Sequence, residues 1–296
     1  MKRLIGLALI LAAAGAALYY GQRRKPQSQV GAEGMLNALA ETQREISRIP
    51  AKVTRLSDAD EVRIGDAMAQ SYTARYSLRT QQDRELQAYV TKVGRMVAGR
   101  ARRKLDYKFH YVPDPNFVNA FALPGGHVFI GEGLIRLMNT EDELASTLGH
   151  EVEHVDNYHC AERVQVEASL RKIPLGELFA LPAELFMAGY SKEQELEADR
   201  DGTQLAVMAG YSPQGAVHLF QQFEKLRQEY VLKAEDPTDE LSKVAVEGLF
   251  GYFRSHPLPE ERIAQINEII AGRKWPQPAE RSLQVSPDQP QAAQAR

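Results

Sequence analysis

His150 and His154 stand four residues apart, with Glu151 beside the first. On a helix, positions i and i+4 differ by about 40° around the axis, so both imidazoles project from one face and can close on a single metal ion. This is the HExxH spacing. Thr140 with Glu143 reads as a capping box, and Leu144, Leu148, Val152 and Val155 recur at three- and four-residue spacing, which predicts the required helix. The pentapeptide alone also fits a surface helix carrying two solvated histidines, so its context decides.

A zinc site needs a third protein ligand and an open fourth position. A third histidine six residues beyond His154 is absent, because Cys160 stands there. His159 lies nine residues from His150, about 180° round a continuous helix, which predicts a packing or hydrogen-bonding histidine on the far side from the metal. The remaining source is a second helix, and Ser191 caps a run rich in acids up to Gly202. Glu195 and Asp199 are four apart and share a face, whereas Glu197 falls about 200° from Glu195 and should look away. Glu195 is therefore assigned as the third ligand, and Asp199 as the hydrogen-bond partner of a ligand histidine.

Four separated blocks now resemble a known family, the CaaX prenyl protease and Oma-type group of gluzincin zinc endopeptidases, which includes the bacterial beta-barrel-assembly-enhancing protease. The blocks are Asn119 to Gly126, His150 to His154, Glu195 to Asp199 with Gly202 and Ala209 to Pro213, and Ser255-His256-Pro257 with Glu261 and Arg262. The resemblance spans about residues 60 to 272. It implies one zinc ion per chain on His150, His154 and Glu195, with Glu151 as general base. It also brings His256 near the metal, either to stabilise the oxyanion or to occupy the open position reversibly. It further implies an α+β fold, a mostly helical zincin-like domain with a small sheet whose edge strand borders the cleft. Glu153 departs from the family, which usually has a small residue there; the expectation is a solvated or cleft-rim carboxylate.

The implied activity is endoproteolysis of unfolded or misassembled proteins in cell-envelope quality control. Two other readings remain: a tightly latent protease, or a chaperone-like binder with a zinc-stabilised groove. No repeat module of the kind attached to some relatives is expected.

The elements that must position these residues follow from periodicity. Residues 59 to 103 read as helices, through Leu86, Tyr89, Val90, Val93, Met96 and Val97. Leu105, Tyr107, Phe109 and Tyr111 alternate with polar residues, as in a half-buried strand. A second strand runs from His127 to Gly131 after the Pro124-Gly125-Gly126 turn; the resemblance implies that it is the edge strand beside the cleft, where it can pair with a substrate backbone. Asn119, Ala120 and Phe121 are candidates to line that groove, and His127 reads as surface or cleft wall. Residues 161 to 190 read as buried helices, with a lid or membrane-facing patch as alternatives. Ile263, Ile266, Ile269 and Ile270 form a helical stripe that Gly272 can end.

Composition narrows the classes. The net charge is -3, so nucleic-acid binding is excluded and Arg100, Arg102, Arg103 and Lys104 read as a solvated helix end. Cys160 is the only cysteine, which excludes an internal disulfide and a CxxC metal site and predicts a small buried residue. Lys2 and Arg3 precede an apolar run from Leu4 to Tyr20. It is an export signal or a membrane anchor, and Tyr19, Tyr20, Arg23, Arg24 and Lys25 point to an uncleaved anchor. The expected organisation is an anchor or signal at 1–20, a polar linker or pro-region at 21–55, the catalytic domain at 56–273 and a disordered Pro- and Gln-rich tail at 274–296. The expected location is the bacterial envelope, either inner-membrane anchored with a periplasmic domain or exported to the periplasm.

Overall fold

The computed structural model describes residues 56–233 and 259–287; the N-terminal apolar run, the linker and His256 lie outside them. Two helices lead. The first, α1 (Asp58–Thr73), is capped by Ser57, and α2 (Gln81–Ala98) by a Thr80–Asp83 capping box. Val90, Val93 and Val97 put a buried stripe on α2, as the spacing predicted.

Three strands follow: β1 (Lys108–Val112), β2 (Ala120–Leu123) and β3 (His127–Gly131). Their order is β1-β3-β2, with β1 parallel and β2 antiparallel to β3. This corrects the expected edge: β3 is the central strand. Gly125 adopts φ 76° in the Pro124–Gly126 turn and lets the chain reverse within three residues, so β2 folds back on β3 and takes the outer position itself.

After the one-turn α3 (Glu132–Ile135) comes α4 (Glu141–Asp156), the helix of the HExxH residues, with the predicted Thr140–Glu143 capping box. It packs on α2, on β2, on α6 (Lys192–Met208) and on α7 (Gln214–Lys233). Between α4 and α6 lie α5 (His159–Arg171) and two short 3-10 turns, Leu175–Ala180 and Ala183–Ala188. The last helix, α8 (Pro259–Arg273), packs on α6 and α7. It runs through Gly272, and the chain leaves it at Lys274 with φ 50°.

Every residue of α4 is buried. A helix buried all round normally reads apolar, yet this one holds six carboxylates, and they need partners. Glu141 accepts hydrogen bonds from Tyr89 at 2.8 Å and Tyr211 at 3.1 Å. Asp142 accepts from the backbone of Ser212 and of Arg281, both at 2.6 Å. Glu143 closes the capping box and receives Gln222 at 2.7 Å. At the other end Asp156 accepts from the backbone of Arg102 and Arg103. Arg103 is itself buried against Glu61 and Asp58, not solvated as the basic cluster suggested.

Residues 281–284, expected in a disordered tail, lie on the start of α4. Arg281 accepts from the Glu141 N–H at 2.7 Å, Ser282 bridges Thr140, and the Gln284 N–H donates to Tyr89. An uncapped first turn leaves backbone N–H groups without intrahelical acceptors, and this segment supplies one.

Candidate metal centre

The site begins at a helix crossing. Gly149 of α4 faces Gly202 of α6, and a Cβ built on Gly202 would lie 2.6 Å from the His150 nitrogen. Two side-chain-free positions let the backbones approach, and that approach brings the first turn of α6 over the HExxH face. His150 Nε2 and His154 Nε2 lie 3.0 Å apart. Glu195 reaches them with Oε2 at 3.4 Å from His150 and Oε1 at 3.8 Å from His154. Tetrahedral zinc with bonds of about 2.0–2.2 Å separates its donors by roughly 3.3 Å, so this set fits that ion. All three residues are buried, and they are the one metal-competent cluster among the described residues.

The rings are oriented from behind. Asp199 Oδ1 lies 2.8 Å from His150 Nδ1. The Arg262 guanidinium grips Asp199 with two bonds, 2.6 and 2.7 Å, and stacks over Phe220. A carboxylate on Nδ1 requires the proton there and leaves the Nε2 lone pair toward Glu195. The ring of His154 stacks on Tyr190 at 4.0 Å, and its Nδ1 meets His159 Nδ1 at 3.0 Å. The Tyr190 backbone N–H donates to Glu195 Oε1 at 3.2 Å.

The electrostatics favour positive charge. Burial opposes a proton on His150, but Asp199 and Glu195 outweigh it and raise the imidazole to about 10, so a metal ion at Nε2 would take the place of a proton there. Burial lifts Glu151 to about 7, against the pull of His150. Burial also pushes Asp199 up, yet Arg262 and His150 hold it below the usual carboxylate range. Glu151 borders an indentation shared with Thr147, His150, Phe220 and Arg262.

A sequence model of peptidase family M48 matches residues 80–270. The chain belongs to this family. The mitochondrial metalloendopeptidase OMA1 of Schizosaccharomyces pombe is 29% identical over 201 residues, 62% of this chain and 52% of that protein. The beta-barrel assembly-enhancing protease of Escherichia coli is 28% identical over 232 residues, 71% of this chain and 43% of its own length. The mitochondrial metalloendopeptidase OMA1 of Arabidopsis thaliana is 32% identical over 177 residues, 53% and 33% respectively. The chain thus spans about half, or less, of these relatives.

Within this M48 domain several predicted positions differ from expectation. Glu153 is buried, not at a solvated rim; Arg102 reaches it at 3.1 Å, and burial raises its carboxyl to about 8. His159 hydrogen-bonds as expected, but on the near side. The helix ends at Asn157, and Tyr158 takes φ 64°, so α5 starts in a new direction and returns His159 to His154. Glu197, outside the cluster of His150, His154 and Glu195, meets His159 at 3.3 Å. His127 is buried, bonded to His110 at 2.9 Å and Asp66 at 2.8 Å.

Asn119, Ala120 and Phe121 are buried as well. Phe121 stacks on Phe129 at 4.8 Å and meets Tyr72 edge-on, so its ring belongs to the core. Asn119 Oδ1 accepts from the Ala120 backbone. Helix spacing predicts no role for Arg262 or Tyr190, since Arg262 lies 63 positions from Asp199 and Tyr190 precedes the helix that carries Glu195.

Proposed function

We propose that this M48 chain is a zinc metalloendopeptidase that hydrolyses peptide bonds of unfolded or misassembled proteins. The observation that carries the reading is the convergence of His150, His154 and Glu195 at zinc-like separations, with Glu151 lining the indentation beside His150. Bound there, zinc would supply Lewis acidity toward water and the scissile carbonyl. Glu151 takes a proton from the attacking water onto its carboxylate and delivers it to the leaving amine. Asp199 and Arg262 hold His150 in one tautomer, and the Tyr190 stack restrains the His154 ring. By resemblance to the family, His256 would act as an oxyanion donor or a latch. A His256→Ala variant separates the two roles, because a latch variant cleaves faster and an oxyanion variant loses turnover.

The substrate backbone lies along β2 in this reading. Of Asn119, Ala120 and Phe121, Ala120 contributes through main-chain atoms, since the Asn119 carbonyl already accepts from Gly131 and the Phe121 ring is committed to the core. Extended pairing of that kind recognises backbone and suits unfolded chains of varied sequence. The apolar run from Leu4 to Tyr20 serves as membrane anchor or export signal and places the domain in the bacterial envelope, facing the periplasm. Among the described residues no helix is long and apolar enough to cross a membrane.

The deciding experiment is degradation of an unfolded test protein by the purified chain and by Glu151→Gln at matched zinc content. Cleavage by the wild type and none by the variant supports the endopeptidase. Equal turnover in both removes Glu151 as base. Tight binding of the test protein without cleavage by either points to the chaperone-like alternative.

A further inference from the structure

The two histidines of the site are supported in different ways. Behind His150 stands a carboxylate, Asp199, almost wholly buried and clamped by Arg262. Behind His154 stands another imidazole, His159, buried to 3% exposure. Behind that imidazole stands Glu197, whose side chain is 42% exposed.

The hydrogen positions on this second chain of groups follow from its ends. Glu197 is an acceptor, and it faces His159 Nε2 at 3.3 Å, so the neutral ring carries its proton on Nε2. His159 Nδ1 is then an acceptor. It lies 3.0 Å from His154 Nδ1, which must donate. With its proton on Nδ1, His154 presents the Nε2 lone pair to His150 and Glu195. The opposite assignment would put a proton on His154 Nε2, where a metal ligand needs a lone pair.

The backbone is bent to make this contact. Tyr158 holds a left-handed φ of 64°, a conformation uncommon for a bulky side chain. Its ring lies under the Arg103 guanidinium at 4.0 Å, and Arg103 is anchored in turn by Glu61 and the Val155 carbonyl. The reversal at Tyr158 is what places His159 beside His154.

We propose that His159 is a positioning residue for the metal site, fixing the tautomer and ring orientation of His154, with Glu197 fixing His159. The proposal rests on the reading of His154 as a ligand and deepens it. Groups in this relation to a ligand histidine alter metal affinity by about 10- to 100-fold when removed.

The test measures Zn2+ affinity of the full chain by competition with a chromophoric chelator, independently of peptidase turnover. His159→Leu fills the space but removes the acceptor, and its Zn2+ dissociation constant is expected to rise about 10- to 100-fold. His159→Asn keeps an oxygen acceptor in the place of Nδ1, and its affinity is expected within about threefold of wild type. Glu197→Leu is expected to give a smaller loss than His159→Leu. Because His159→Leu could misfold, 15N NMR of the zinc-loaded wild type reads the same point, with His154 protonated on Nδ1 and His159 on Nε2. Wild-type affinity in a folded His159→Leu, equal losses in the Leu and Asn variants, or a proton on His159 Nδ1 would overturn the proposal. A His154→Ala control distinguishes the failures: retention of zinc there defeats the site reading itself, whereas its loss alongside an unaffected His159→Leu defeats only this inference.

Discussion

Gly149 and Gly202 face each other where the two site-bearing helices cross, and neither has room for a side chain. A Cβ on Gly149 would lie 2.6 Å from the Gly202 carbonyl, and one on Gly202 would lie 2.6–2.7 Å from backbone atoms of Gly149 and His150. Backbone cannot yield as a side chain can. Gly202→Ala is therefore expected to push α6 from α4, lower stability by about 1–3 kcal/mol despite its better helix propensity, and release Glu195 from the histidine pair. Denaturant unfolding together with bound zinc per chain checks this; a stable variant with full zinc would show that the crossing tolerates a methyl group.

Arg262 and Asp199 form a buried pair in which each group satisfies the other. Removing only the cation strands a carboxylate that is almost fully enclosed. Arg262→Met is expected to cost about 3–5 kcal/mol and to weaken zinc binding by loosening His150. Arg262→Lys should recover only part of both, since an ammonium cannot make the paired contact of a guanidinium. Urea midpoints and chelator competition on the two variants measure the difference.

The Asp66–His127–His110 chain makes folding pH-dependent. Burial lowers His110 to about 4 from 6.5, with His127 and Lys108 adding to the effect, and burial also lowers His127. A base with a depressed folded pKa binds fewer protons folded than unfolded. Stability is complete above pH 6.5 and falls as pH drops toward 4, by on the order of 3 kcal/mol for His110. His110→Phe keeps the stack on Phe129, seen at 4.3 Å, and should flatten the slope across that window. Unfolding midpoints from pH 7 to pH 4, at one metal loading, would refute this if wild type and variant ran parallel.

Cys160 is fully buried, touching the Tyr190 hydroxyl and the Ala122 carbonyl, and burial pushes its thiol far above the ordinary range. Its reaction with a thiol reagent is expected only through opening of the fold. Labelling at the rate of a model thiol in native buffer would contradict this.

Much of the site was legible because its signals are local. The spacing of His150 and His154, the Thr140 cap, and the shared face of Glu195 and Asp199 need only helix geometry. The misreadings arise where a helix stops or where a partner comes from afar. His159 was placed by extending α4 through Tyr158, a residue whose left-handed turn no periodicity announces. Glu153 and Arg103 looked solvated because their charges were visible and their partners, in other elements, were not. The strand at His127 to Gly131 reads as the edge only through the resemblance to gluzincin sites, and strand order depends on pairings that no local pattern records. Arg262 sits 63 positions from Asp199, beyond the reach of any local pattern.

The segment around Arg281 completes the first turn of α4 from 139 positions further along the chain. The helix that bears the histidines is therefore among the middle described elements to be synthesised, while one partner of its first turn is among the last. A growing chain that has not yet released this segment lacks an acceptor for Glu141 and a donor for Asp142. The fold thereby ties maturation of its reactive centre to the arrival of residues that never touch it.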